Sequence, residues 1–318
     1  MQKVYSKGFN GWSQLAILLG LVGGGILATV LISFLIWISM TDGSILNMEK
    51  DMLKPENANA IQVLQAASAL FMFFIPTVAF ASICYRNKWT FLGFKEKLNP
   101  KALLIVLLIV AVSIPMMGLL EQINRAIPLP ATTRVRFDDM EERYNEQVLL
   151  MVQLKTWGQY FISLFIIAVL PAITEEMVFR GGLQNLLTRW MKSPWAAILI
   201  TSFLFSAIHW SWYGFIVRFA LGVVLGLIFY YTKNIWLNIL LHFLNNALVV
   251  TSLFITARQG KPLDMTPTDS FPLIVGVAGL ILMVVLMRWL INSSPNPVLE
   301  ENRIDVFDRR NPFDERNV

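Results

Sequence analysis

The amino-acid sequence predicts an all-α, polytopic membrane protein. Of its 318 residues, 56% are hydrophobic and only 15% are charged, whereas an ordinary globular domain carries about a quarter charged residues. A bilayer-spanning helix needs roughly 20 predominantly apolar residues, and apolar runs of about this length recur along nearly the whole chain. Together these observations predict about eight transmembrane helices in one polytopic domain.

Eight apolar runs are candidate transmembrane helices. Most of the ten Trp residues lie at or near the ends of the apolar runs, as in the aromatic belts of membrane proteins. Gly222 and Gly226 in the sixth run form a G-x-x-x-G pattern, which permits close helix approach. The eight runs are residues 15–40, 60–85, 102–120, one that starts at 157, 195–210, 215–231, 235–255 and 271–291.

The distribution of basic residues predicts the orientation. Lys3 and Lys7 precede a first apolar run that no A-x-A cleavage site follows, so we expect an uncleaved anchor. Lys and Arg are more numerous in the loops on the side of the N-terminus, and the positive-inside rule therefore predicts that both termini are cytoplasmic. The net charge of +5 reflects this topology and contact with the lipid bilayer. It does not indicate a nucleic-acid partner.

We divide the chain into three regions. Residues 1–130 hold the first three transmembrane helices, residues 131–292 hold the remaining helices, and residues 293–318 form a polar, Pro-containing tail that is expected to be disordered. Between the third and fourth runs, the spacing of apolar residues in 121–156 predicts an amphipathic helix at the outer interface. The single Cys84 rules out an intrachain disulfide.

Four charged residues fall within the predicted spans: Glu175, Glu176, Arg180 and Arg218. A charge near the bilayer centre costs on the order of 2.5–3.5 kcal/mol, so such residues normally face the bundle interior and mark function. Glu176 and Arg180 are four residues apart and are expected to form a pair, which leaves Glu175 without a local partner. Arg218 is close enough to the outer interface for its side chain to snorkel into water.

Both histidines of the chain, His209 and His242, lie in predicted spans. A single buried histidine is usually a core residue, but two out of two beside a carboxylate pair favour a functional site. His242 and Asn246 share a helix face, and Asn245 points elsewhere. At 1.5 Å per residue, Glu175 and His209 both lie about 20 Å from the inner ends of their helices. The sequence therefore predicts that these side chains converge.

The patterns E-E-x-x-x-R, F-x-x-x-H and H-x-x-x-N occur in this order, each on its own helix, over roughly residues 157–250. This set resembles the CPBP family, also called the Abi or CAAX-protease-like family, of intramembrane proteases. The resemblance implies a membrane-embedded endopeptidase that acts on a membrane-bound or lipidated peptide or protein, of the type that processes CAAX-box proteins. It also implies a location in the bacterial inner (plasma) membrane.

The resemblance assigns roles to individual residues. Glu175 with His209 would activate a water molecule, and His242 with Asn246 would line the oxyanion. The remaining acidic and basic residues of the first motif would hold the helix and tune the catalytic carboxylate. The implied catalytic residues are Glu175, Glu176, Arg180, His209, His242 and Asn246.

The sequence leaves the cofactor open. Glu175, His209 and His242 could supply three ligands to a catalytic Zn²⁺, with water in the fourth position. The family is commonly labelled as metalloprotease, but a metal-free glutamate mechanism is the alternative. The chain contains no H-E-x-x-H motif.

Two other functions fit a membrane protein with buried Glu and His. A proton-coupled transporter uses such residues as a proton relay, but transporters usually have two related halves, and here all the unusual residues lie in the second half. A catalytically silent immunity or scaffold protein of the same fold is the other alternative, and the intact motifs argue against it.

Overall fold

The computed structural model of the chain describes residues 6–152, 154–263 and 272–294. Within these ranges the regular secondary structure is helical and there is no strand, which confirms the all-α prediction. Seven helices are long and apolar enough to cross a membrane, and one further apolar helix is shorter. The chain is therefore a multi-pass membrane protein. The orientation of its termini stays a prediction.

The described residues form nine main helices, which we number in chain order. They are α1 (Gly11–Met40), α2 (Pro55–Cys84), α3 (Pro100–Ala126), α4 (Ala131–Met151), α5 (Trp157–Met191), α6 (Pro194–Ala207), α7 (Phe215–Thr232), α8 (Ile235–Arg258) and α9 (Leu273–Ser293).

Local sequence signals set the ends of α5 and the turn into α6. Thr156 and Gln159 form a capping box at the start of α5, which satisfies two backbone N–H groups that have no partner inside the helix. After α5 ends, Lys192 adopts a left-handed conformation with φ 52°. Ser193 then caps α6, and Pro194 occupies its first turn, where the missing N–H costs nothing. The tight turn makes α6 antiparallel to α5.

Glycines allow α6 and α7 to pack closely. A Cβ atom added at Gly222 would lie 2.9 Å from the Cβ of Ser202, and one added at Gly226 would lie 2.8 Å from Cγ2 of Ile198. No side chain fits at such distances without movement. The close helix approach predicted from the G-x-x-x-G pattern is confirmed.

Helix α8 lies between two apolar clusters. One cluster joins it to α3, α7 and α9, and the other joins it to α1, α2 and α5. Representative buried residues are Ile105, Leu225, Leu241 and Met287 in the first cluster, and Leu18, Phe80, Met177 and Ile239 in the second. Because both clusters contact α8, polar side chains on this helix lie in the middle of the bundle.

The fifth predicted span, residues 195–210, differs from the structure. Helix α6 has 14 residues and ends at Ala207, so it is about 21 Å long and shorter than the roughly 30 Å hydrocarbon core. His209 lies in the turn that follows, next to Trp210 with a φ of 51°. The expectation that His209 lies inside a helix was wrong, because the chain turns before the apolar pattern ends.

The predicted helix between the third and fourth runs is confirmed as α4, none of whose side chains is buried, and its amphipathic character stays a prediction. It packs on the 208–214 turn. Three side-chain pairs make this contact: Glu141 with Ser211, Asp138 with Tyr213, and Phe137 with Trp212. Helix α4 therefore covers the turn that carries His209. Its position at the outer interface and the division of the chain at residue 130 stay predictions. The predicted disordered tail, residues 293–318, lies outside the described residues apart from its first two.

We expect Gly222→Ala to lower the stability of the protein by about 1–3 kcal/mol, because the new methyl group overpacks the contact between α6 and α7. Gly23→Ala in α1 is the matched control, since no atom lies within 4 Å of its added Cβ. Alanine also favours helix formation, so the control is expected to be neutral or slightly stabilising. Unfolding of both purified variants in detergent measures the difference, and equal stabilities would show that the glycine is not needed for packing.

Candidate active site

The first motif lies on an irregular part of α5. Two π-helical turns, Phe165–Val169 and Met177–Gln184, flank the regular turns that contain Glu175 and Glu176. Pro171 lies two residues after the first π-helical turn, and its missing N–H interrupts the regular hydrogen-bond ladder. Such single-turn π segments occur frequently at functional sites. They change which residues of α5 face the bundle interior.

The carboxylate of Glu176 is completely buried and has three donors. Arg180 Nη1 lies 2.8 Å from Oε1, and the two side chains are 1% and 0% exposed, so the predicted pairing is confirmed. His242 Nδ1 lies 2.9 Å from the same oxygen. Asn238 Nδ2 donates to Oε2 at 3.3 Å. A buried carboxylate is tolerated only with such partners, and here they come from both α5 and α8.

The bond to Glu176 orients the ring of His242 towards Glu175. Because an ionised carboxylate only accepts hydrogen bonds, Nδ1 of His242 carries the proton. This leaves Nε2 directed at Glu175 Oε2, which lies 3.9 Å away. Oε2 is buried and has no hydrogen-bond partner in the described part of the chain. These two atoms are too far apart to form a direct hydrogen bond. A small polar group between them could contact both.

Phe205 connects the three motifs. The Arg180 guanidinium lies 4.6 Å from its ring centroid, and the rings of His209 and His242 lie at 5.1 Å and 5.8 Å. Nδ1 of His209 is 2.7 Å from the carbonyl oxygen of Phe205, which only accepts, so Nδ1 is the donor. Both histidines are therefore held through Nδ1 and present Nε2. The predicted convergence of the motifs is confirmed to this extent.

Residues 157–248 match the family model described as Type II CAAX prenyl endopeptidase Rce1-like. The resemblance predicted from the motifs is confirmed for this segment, which runs from the start of α5 into α8 and includes all seven motif residues. No curated protein and no solved structure matches the chain.

Two adjacent asparagines of α8, both within the matched residues 157–248, have different surroundings. Asn246 donates from Nδ2 to the carbonyl of Ile167 in the first π-helical turn of α5, at 3.2 Å. Asn245 accepts from Ser113 Oγ on α3 at 2.9 Å, and its own Nδ2 is buried without a partner among the described residues. Asn246 thus lies between α8 and α5, and its role at the oxyanion stays a prediction.

Two polar residues of this network, Asn238 and Gln184, are not among the residues predicted from the sequence. Besides Glu176, Asn238 Nδ2 contacts the carbonyl of Leu225 on α7 at 2.7 Å. Gln184 Nε2 donates to the carbonyl of Gly226 at 2.9 Å. Asn238 lies four residues before His242, and Gln184 lies four residues after Arg180. This spacing, which places both on the faces of the recognised residues, is the signal that could have identified them.

The arrangement of the three possible zinc ligands does not favour a zinc site. In the three ranges that the structure describes, no group of three or more His, Cys, Asp or Glu side chains is placed to hold a metal ion. Glu175 and His242 approach each other, but a catalytic zinc site needs three protein ligands around one point. As arranged, Glu175, His209 and His242 do not form such a site.

We expect Arg180→Met to destabilise the protein by about 3–5 kcal/mol, because it leaves the buried carboxylate of Glu176 without its charged partner. Arg125→Met is the matched control. Arg125 also pairs with a glutamate four residues away, Glu121 at 2.9 Å, but its side chain is 41% exposed, so the loss should be about 1 kcal/mol or less. Denaturant unfolding of both variants in detergent checks this, and similar losses would contradict it.

Proposed function

We propose that this protein is an intramembrane endopeptidase that hydrolyses a peptide bond in a membrane-anchored or lipid-linked substrate. The Rce1-like match supports a membrane protease. The observation that carries the proposal is the approach of Glu175 Oε2 to His242 Nε2 inside the bundle, at 3.9 Å. A base and an imidazole at this separation can share the nucleophilic water that amide hydrolysis requires.

In the proposed reaction, Glu175 takes a proton from water while the water oxygen attacks the carbonyl carbon of the substrate. His209 Nε2 is the second acceptor that orients this water. The proton then passes to the leaving nitrogen as the C–N bond breaks, and the products are a carboxylate and an amine. Each proton transfer requires the donor and acceptor to lie within hydrogen-bond reach. A water held between Glu175 Oε2 and His242 Nε2, which are 3.9 Å apart, would meet this requirement for Glu175.

Stabilisation of the oxyanion is assigned to His242 and Asn246. With Nδ1–H donated to Glu176, His242 can donate from Nε2 only when that nitrogen is protonated as well, and we assign the oxyanion to this doubly protonated form. In this form Nε2–H donates to the developing oxyanion. Asn246 has a second amide hydrogen beyond the one that contacts Ile167.

An apolar groove beside the site supports a lipid-linked substrate. Its volume is about 440 Å³, and it is lined by side chains of α5 and α8 together with the residues that precede and begin α3. Ile173 lies one turn before Glu176, and Phe243 follows His242 directly. The groove therefore adjoins the polar network, and a hydrocarbon chain bound there would hold the attached peptide next to Glu175.

For the cofactor, we propose the metal-free route, in which Glu175 and the two histidines are the only groups that act on water. The absence of a three-ligand cluster in the described ranges supports this choice. Metal analysis of the pure, active protein by mass spectrometry tests it. Zinc bound at one equivalent, together with activity that a chelator removes and zinc restores, would favour the zinc mechanism.

We expect Glu175→Gln, His209→Ala and His242→Ala each to reduce cleavage of a membrane-anchored peptide by about 100-fold or more, because these changes remove the general base, the group that orients the water and an oxyanion donor, respectively. Proteomic comparison of membrane-tethered proteins with wild type and Glu175→Gln identifies the substrate. Glu121→Gln, a partly exposed glutamate of α3, is the control and should keep full activity. Full activity of the Glu175→Gln variant would contradict the proposed mechanism.

We expect Leu240→Trp to raise the KM for a lipidated peptide about tenfold, since the larger ring fills the groove, and to leave the KM of the same peptide without its lipid unchanged. The expected size corresponds to the loss of about 1.4 kcal/mol of binding energy. Leu248→Trp is the control, because this residue is on the same helix and 43% exposed but does not line the groove. An equal effect on both peptides would show that the lipid does not bind there.

A further inference from the structure

Arg218 in the first turn of α7 is covered by protein. Its guanidinium lies against Gly214 and 5.3 Å from the centroid of Tyr144 on α4. Nη1 is buried and has no hydrogen-bond partner among the residues described. The expectation that Arg218 snorkels into water was therefore wrong for this nitrogen, because α4 folds over the end of α7. The aromatic contact holds the side chain but accepts no hydrogen bond from Nη1.

Arg218 lies at the end of α7 that follows the turn carrying His209. Its guanidinium lies against Gly214, the last residue of that turn. The height of Arg218 along the bundle can be measured from a contact between α7 and α8, which are antiparallel. In this contact Asn238 Nδ2 donates to the carbonyl oxygen of Leu225. Arg218 lies seven residues before Leu225, about 10 Å along α7. It is thus two turns from that contact, towards the turn that carries His209.

Asn245 occupies the same level on α8. It lies seven residues after Asn238, so it too is about 10 Å from the contact between the two helices. Like Arg218, it has a buried donor, Nδ2, with no partner in the described ranges. The two donors thus lie at the same height along the bundle, about one helical turn past His242. No acceptor among the described residues forms a hydrogen bond with either of them.

Unused buried donors indicate the chemistry of a ligand. Leaving a buried polar group unpaired costs free energy, and a guanidinium has no way to become neutral. The complement of an arginine fork and a neighbouring amide is a carboxylate, which accepts two parallel N–H bonds from arginine and one more from an amide. A peptide substrate brings such a group as its C-terminus or as an Asp or Glu side chain.

We propose that Arg218 and Asn245 bind a carboxylate of the substrate and so position the scissile bond at Glu175 and His242. This inference rests on the proposed protease function and adds to it a specificity for substrates with an anionic group beyond the cleaved bond. Arg218 is a specificity residue in this scheme, since it contacts the substrate away from the reacting atoms. The apolar groove and the carboxylate site would together fix the direction of the bound peptide.

The test uses the full-length protein in liposomes and an S-prenylated, fluorescent peptide that ends in a CAAX sequence, made with a free C-terminal acid and as the C-terminal amide. For wild type, we expect the KM of the acid to be about tenfold or more below that of the amide, as for a hydrogen bond to a charged group. Arg218→Gln should raise the KM of the acid to that of the amide, change kcat by less than about twofold, and leave the KM of the amide unchanged. Asn245→Leu should act in the same direction, about threefold.

A second peptide pair separates the two sources of the carboxylate. One member has Glu next to the C-terminus and the other has Gln, both as amides. A preference for Glu that Arg218→Gln abolishes would assign the site to an acidic side chain, whereas a preference confined to the free acid assigns it to the C-terminus. Arg125→Gln is the matched control, since Arg125 contacts the same turn through Tyr213 at 4.6 Å, and it should change neither KM.

Binding measurements test the carboxylate site separately from the protease activity. The Glu175→Gln variant should bind the acid peptide with a dissociation constant about tenfold below that of the amide peptide. Equal binding of acid and amide, or no binding of either, would overturn the carboxylate site. A retained preference in binding without cleavage by wild type would contradict the protease function alone. If Arg218→Gln does not fold, the acid and amide peptides with wild type and Asn245→Leu still decide.

Discussion

The buried carboxylate of Glu176 is the interaction on which the rest of the site depends. It pairs with Arg180 of the same helix and joins α5 to α8 through His242 and Asn238. Breaking such a network leaves an uncompensated charge, which costs more than the intact network contributes. The same carboxylate fixes the tautomer of His242, so the stability of the bundle and the orientation of the imidazole have one cause.

The polar network extends across α7 because of its glycines. Gly222 and Gly226 accept hydrogen bonds from Arg180 and Gln184 through their carbonyl groups. At Gly226 the missing side chain also leaves room for Gln184, whose Oε1 would lie 3.0 Å from an added Cβ. Phe205 closes the network on the side of α6, where its ring contacts Arg180 and both histidines. Four helices are therefore fixed relative to one another at the level of the proposed reaction, which is the pre-organisation that electrostatic catalysis requires.

The two sides of the site differ in polarity. The groove beside Ile173 and Phe243 is apolar, whereas the opposite end, near Arg218 and Asn245, has buried donors without acceptors. Helix α4 covers this second end, and its acidic and aromatic residues contact the turn that carries His209. A substrate with a hydrocarbon chain on one side of its scissile bond and a carboxylate on the other would match both environments.

The sequence by itself determined the membrane-spanning runs, the pairing of Glu176 with Arg180, and the close contact at Gly222 and Gly226, because each depends on composition or on spacing along one helix. It also identified the motif residues through their resemblance to a protease family. The tertiary structure decided which atoms meet between helices: His242 with Glu176, Asn246 with Ile167, and Tyr144 over Arg218. These contacts depend on the rotation, tilt and π-helical turns of packed helices, which residue spacing within a single helix does not fix.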